Sequence, residues 1–166
     1  LTKVFFSGKP FGHETGAVAP FLLLFCWCGT MSVEQYQLLI ADDDDAFRST
    51  LCEIFEPFFQ LIEAQSGEEA LELASHQEVH LALFDMHMQR LTGLEALRQL
   101  KEIHIVAPCI LITADYSLEL CDDAAEAQAF TVLKKPVTKR ELVGTVATAV
   151  ADVYNDREFT HRLLSS

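Results

Sequence analysis

The chain has 166 residues, half of them hydrophobic and 22% charged, which suits a single globular domain with a substantial core. A net charge of −13 argues against a nucleic-acid-binding surface, which would need clustered Lys and Arg. Five cysteines, odd in number and irregularly spaced, argue against a disulfide framework or a zinc site and leave a reducing, cytoplasmic setting as the default.

Residues 1–30 differ in character from the rest of the chain. Gly8, Pro10, Gly12, Gly16 and Pro20 break any periodicity, and an apolar patch from Phe21 to Cys28 comes next. That patch is far shorter than the roughly 20 residues a membrane span requires. No small-residue cleavage site follows it, as one would after a secretory signal. Met31 reads as the natural start, and residues 1–30 as an upstream segment outside the native domain. Removing Lys3, Lys9 and Glu14 takes away +1 and leaves −14 on residues 31–166.

From Gln37 the chain alternates apolar runs with amphipathic stretches. Gln37 to Ala41 reads as a strand and runs into Asp42-Asp43-Asp44-Asp45. Ala46 to Glu56 places Phe47, Leu51, Ile54 and Phe55 at helical spacing, with Pro57 as the stop and Asp44 or Asp45 as the cap. A second strand is predicted around Leu61-Ile62. Ser66 to Glu69 opens a helix with carboxylates in its first turn and Ala70, Leu71, Leu73 and Ala74 on its apolar side. Leu81 to Asp85 is an unbroken apolar run ending on one carboxylate, the signature of a strand buried on both faces. A loop to Gly93 leads to a third helix marked by Leu94, Leu97 and Leu100. Cys109 to Ile112 is a fourth strand running into Thr113, and Ser117 caps a weakly apolar fourth helix. Phe130 to Leu133 is a fifth strand followed by Lys134-Lys135-Pro136. Thr138 caps a last helix, with Glu141 spaced for a capping box. Cys52, Cys109 and Cys121 lie among apolar or helical residues and read as small core residues. The stretch 154–166 reads as a short C-terminal tail.

Five strands and five helices in strict alternation imply an α/β fold, a parallel sheet with right-handed crossovers and helices on both faces. The flavodoxin-like strand order 2-1-3-4-5 suits this size and places the first and third strands at the switch point, where ligands bind beyond the strands' carboxyl ends. Asp42, Asp43, Asp85, Thr113 and Lys135 would then share one edge of the sheet. Carboxylates so close repel one another unless a cation joins them. A hard divalent ion with oxygen ligands, Mg²⁺, suits an open cluster of this type. In that setting Asp85 can attack a phosphoryl group, with Thr113 and Lys135 placed to contact its oxygens.

With these residues at these positions, residues 36–153 resemble the receiver domain of two-component response regulators, of the stand-alone chemotaxis type. The resemblance rests on Asp42-Asp43, the strand-ending Asp85, Gly93, Thr113-Ala114 and Lys135-Pro136. It implies that Asp85 is the phosphoacceptor. It also implies that Asp43, Asp85 and the backbone carbonyl of His87 hold Mg²⁺, with Asp42 assisting through water, and that Thr113 and Lys135 contact the phosphoryl group. The implied partners are a histidine kinase or phosphotransfer protein and a downstream protein target. Neither nucleic acid nor membrane would be bound directly, and the chain would be a monomer or a weak dimer through its fourth and fifth helices. No conventional turnover is implied beyond Mg²⁺-dependent phosphorylation and dephosphorylation of the chain itself.

Several positions depart from the family pattern. Gln89 stands where a proline is usual, four residues after the acceptor. Val132 stands where the family has a switch aromatic. His87 and Asp115 occupy the positions that line the route for attacking water. The His87 ring could be a metal ligand or a phosphohistidine, but a solvent-facing loop histidine contributing only its carbonyl is the plainer reading. A phosphorylation-independent pseudo-receiver is the alternative function. A haloacid-dehalogenase-type phosphohydrolase would need a second Asp where His87 stands.

Overall fold

In the computed structural model, residues 36–165 are described. The expectations for residues 1–30 and for a start at Met31 lie outside them. Five strands, β1 (Gln37–Ala41), β2 (Gln60–Ala64), β3 (Leu81–Asp85), β4 (Cys109–Thr113) and β5 (Thr131–Lys134), alternate with α1 (Asp45–Phe55), α2 (Gly67–His76), α3 (Gly93–Glu102), α4 (Leu118–Glu126) and α5 (Lys139–Tyr154). A further helix, α6 (Arg157–Leu164), comes last. All strand pairs are parallel, and the order is β2-β1-β3-β4-β5. This is the flavodoxin-like arrangement that the alternation implies.

The strands are short because each crosses one buried layer, and their residues divide by parity between two cores. Leu38, Ile40, Leu81, Leu83, Ile110, Ile112 and Leu133 face α1, α5 and α6. Leu39, Ala41, Ala82, Phe84, Cys109 and Leu111 face α2, α3 and α4. The central strands β3 and β4 are buried along their whole length, as a sheet covered on both faces requires. Each helix starts on a side chain that accepts from an amide of the first turn: Asp44, Ser66, Thr92, Ser117, Thr138 and Asp156. These caps satisfy donors that have no partner inside the helix.

Two expectations change. The stretch 154–166 is not merely a tail. Asn155, at φ 53°, ends α5, and α6 then folds back to bury Phe159 and Leu163 in the core of α1 and α5. Phe159 packs edge-on against Tyr36 and Phe59, and the Tyr36 hydroxyl donates to Asp156, the cap of α6, at 3.2 Å. The capping box falls on α3, where Thr92 and Glu95 exchange both bonds. At α5, by contrast, Thr138 accepts from the Glu141 amide, and no return bond from the Glu141 side chain is made.

Candidate functional site

The register of the strands builds the site. Ala41 pairs with Phe84, and Asp85 with Ile112. The residues that leave β1 and β3 therefore emerge side by side at the switch point. One oxygen each from Asp42, Asp43 and Asp85 lies within 4.8 Å of the others. Asp42 and Asp85 are buried, at 1% and 6% exposure, whereas Asp43 is open to solvent. A buried carboxylate is tolerated only where partners replace its water, and each of these two has such partners. Asp42 accepts from the Asp44 amide at 2.8 Å, and Asp85 from the His87 amide at 2.7 Å.

Lys135 closes the cluster. Its position is fixed because its amide bonds the Thr113 carbonyl at 2.7 Å, extending the pairing of Thr113 with Lys134. The Lys135–Pro136 peptide is cis. The Lys135 ammonium lies 2.7 Å from Asp85 Oδ1 and 3.2 Å from Asp42 Oδ2. The Phe47 ring sits below it, with its centroid 4.1 Å from Nζ, an arrangement that adds cation–π attraction. Burial alone would push the Lys135 pKa down, but the bond and charge of Asp85, followed by those of Asp42, outweigh it and hold the ammonium above its ordinary range. The Asp42 carboxyl is pushed up, first by burial and then by the charge of Asp85, against the Asp44 amide and Lys135.

Thr113 is fully buried. Its hydroxyl accepts from the Asp115 amide at 3.1 Å and lies 3.3 Å from His87 Nε2. The same ring nitrogen is 3.3 Å from Asp115 Oδ2. The His87 side chain is 53% exposed, as a solvent-facing loop histidine should be, and its ring nonetheless reaches residues at and just beyond the end of β4. Gln89 lines a cleft of about 350 Å³ that also takes in Asp43 of the cluster, together with Asp45, Gln65, Ser66, Glu68 and Arg90. Val132 lines a separate groove between α4 and β5 with Tyr116, Cys121 and Ala124.

Two residues support the site from outside it: Arg48, which the residue pattern does not single out, and Gly93, whose close approach to β3 the pattern does not show. Arg48 is buried and donates to the Asp42 carbonyl at 2.7 Å, and it also pairs with Asp45 and Glu63. It anchors the backbone that carries the aspartates. Its position three residues after Asp45 is the only signal the sequence offers. Gly93 passes so close to β3 that a Cβ there would meet the Asp85 carbonyl oxygen at 2.3 Å. A side chain at 93 would displace the backbone of the residue at the centre of the site.

Comparison with known proteins agrees with this fold. Residues 38–147 match the response regulator receiver domain family. The chain is 32% identical over 118 residues to the chemotaxis protein CheY of Halobacterium salinarum, covering 70% of this chain and 95% of that one. It is also 32% identical over 117 residues to the transcriptional regulatory protein PdtaR of Mycobacterium tuberculosis, covering 69% of this chain but 57% of that protein. It therefore spans little more than half of that relative's length. Among solved structures, the receiver domain protein of Methanospirillum hungatei superposes with a TM-score of 0.69 at 25% identity, covering 73% of this chain and 98% of that one. The Francisella response regulator 1452 receiver domain superposes with a TM-score of 0.66 at 26% identity, covering 70% and 98%. The chain belongs to the response regulator receiver domain family.

Proposed function

We propose that this chain is a phosphoacceptor receiver that takes a phosphoryl group onto Asp85 from a histidine kinase or phosphotransfer protein and signals through contact with another protein. The observation that carries this reading is the placement of Asp85. It ends the central strand, buried, with an ammonium at 2.7 Å and two further carboxylates beside it.

The donor set fits a hard divalent cation. It consists of carboxylate oxygens only, with no sulfur or imidazole nitrogen among the clustered atoms, and one carboxylate is open to solvent. Such a site suits Mg²⁺, which keeps several waters. Asp43, Asp85 and the His87 carbonyl would hold the ion, with Asp42 assisting. When bound, the ion supplies positive charge against the oxygens of the transferring group. An Asp85 oxygen attacks phosphorus as the bond to the donor's imidazole nitrogen breaks, and the electron pair stays on that nitrogen. The product is an acyl phosphate. Lys135, released from its pairing with the Asp85 carboxylate, neutralises one phosphoryl oxygen, and the Thr113 hydroxyl donates to another.

Incubation with a small phosphodonor and Mg²⁺, read by intact mass, should add one phosphoryl group to the parent and none to Asp85→Asn. Equal labelling of that variant would move the phosphosite elsewhere, with His87 the next residue to test. Absence of labelling in a folded parent would support the phosphorylation-independent module that Val132 and Gln89 favour.

A further inference from the structure

The charge of the described chain is divided along its length. Residues 36–133 carry four Lys and Arg against nineteen Asp and Glu, a net of −15, whereas residues 134–165 carry six against four, a net of +2. The positive part comprises the end of β5, α5 and α6. Within it lies a hollow of about 480 Å³ lined by Lys139, Arg140, Val143 and Leu164.

The hollow exists because of α6. Phe159 and Leu163 are one helical turn apart and share the face that docks into the core. Leu164, next along the helix, is turned about 100° from that face and remains 58% exposed. Its side chain and Val143 of α5 supply the apolar part of the hollow, and the Lys139 and Arg140 side chains supply its cationic part. Both are exposed, and neither has an ion-pair partner among the described residues. In a protein this acidic, two neighbouring cations without carboxylate partners beside an exposed leucine form a site complementary to a segment of opposite charge.

We propose that the α5–α6 hollow binds an acidic amphipathic segment of a partner protein. An aliphatic or aromatic side chain of that segment would enter against Val143 and Leu164, and its carboxylates would meet Lys139 and Arg140. The hollow is built by residues outside the aspartate cluster, so this contact goes beyond the phosphoacceptor reading and does not require Asp85 to be modified. Binding buries little area, so its affinity depends on the two charge contacts and falls as salt rises.

The probe is a short synthetic helical peptide with leucines on one face and glutamates on the other. Its binding to the unphosphorylated protein is followed by amide chemical shifts and fluorescence polarisation. Saturable binding is expected, with shifts centred on residues 139–143 and 161–165. Lys139→Glu combined with Arg140→Glu should weaken it about tenfold or more, as should Leu164→Asp. Arg98→Glu, a cation removed from α3, should leave it unchanged. The Asp85→Asn variant should bind as the parent does, so failure of the phosphoacceptor reading would not affect this result. Lack of saturable binding overturns the proposal, as does an equal loss in Arg98→Glu, which would mark diffuse charge attraction. Tighter association with phosphatidylserine vesicles than with the peptide would overturn it in favour of a membrane surface. Self-association that disappears in the double charge reversal would overturn it in favour of a second copy.

Discussion

Helices α4 and α5 leave the same edge of the sheet, each following a strand with a site residue at its end or just beyond it, yet they are held very differently. α5 runs for sixteen residues and buries Leu142, Val143, Val146, Ala147, Ala149 and Val150. α4 runs for nine and buries only Ala124, while Leu118 at its start is 80% exposed. Burial of apolar surface is the main force holding a helix to a sheet, so α5 is part of the core and α4 rests on it. α6 strengthens this contrast, because Phe159 and Leu163 pin it to the same core as α5. Lys135, at the head of the firm helix, is a fixed electrostatic post. Thr113 is buried at the end of β4, but the exposed loop that follows it leads into the loose helix, a segment that can move at small cost.

The largest effect should come from breaking the firm side. Leu142 is 1% exposed, and Leu142→Ala should cost about 2–5 kcal/mol through lost burial and the cavity left behind. Leu118→Ala on α4 should change stability by no more than about 0.5 kcal/mol. Urea unfolding midpoints of the two variants decide the matter, and similar losses would end the contrast. Phe159→Ala should resemble Leu142→Ala, at about 3–5 kcal/mol. A small loss there would return α6 to the status of a tail.

α6 is also where the sequence was least legible. Two of its apolar residues, Phe159 and Leu163, mark one short face in a stretch otherwise dense with charge, and Leu164 falls off it, so periodicity over eight residues says little about docking. What seats the helix is a set of distant rings, Tyr36 and Phe59, which no local pattern reveals. The sheet was legible for the opposite reason. Strands buried on both faces are continuous apolar runs, and each ends where its polar residue begins, so Asp42, Asp85 and Thr113 marked both the strand ends and the shared edge. Side-chain reach beyond that edge was not legible. The His87 ring turning onto Thr113 and Asp115, and Arg48 turning onto the Asp42 carbonyl, depend on rotamers that neighbouring chains select. Spacing does not tell the two capping candidates apart, because Thr138–Glu141 and Thr92–Glu95 are equally spaced and differ only in where the glutamate side chain goes.

A smaller effect concerns how a phosphoryl group at Asp85 would be felt. It adds about −1.5 to −2 charge and strong acceptor oxygens, and the Thr113 hydroxyl, which accepts from the Asp115 amide and lies beside His87, ends the strand that leads into α4. Val132 is stiff at χ1 and too short to report by swinging. Amide exchange with and without beryllium fluoride should therefore differ most over residues 114–126, with α5 nearly unchanged. A largest change over residues 130–133 would make β5 the responding element, and one within α5 would invert the comparison.

The smallest effect lies within the post itself. The Asp42 carboxyl is held above its ordinary value of 3.8, first by burial and then by the charge of Asp85. A carboxyl raised in the folded state favours folding while protonated. That contribution is complete below about 3.8 and is lost as pH rises through the folded pKa. At neutral pH, without Mg²⁺, the Asp42 charge is therefore a cost to the fold. Asp42→Asn removes the charge, keeps an oxygen for the Asp44 amide, and leaves Lys135 its shorter pairing with Asp85. It should stabilise the protein in chelator by about 1 kcal/mol at pH 7, and this gain should shrink as the pH is lowered toward 4. Unfolding midpoints across that range test the sign. A gain that grows toward acid, or a loss at pH 7, would show that the ionised Asp42 supports the fold through Lys135 more than its burial opposes it. The firm side of the site would then be firm because of its charges rather than in spite of them.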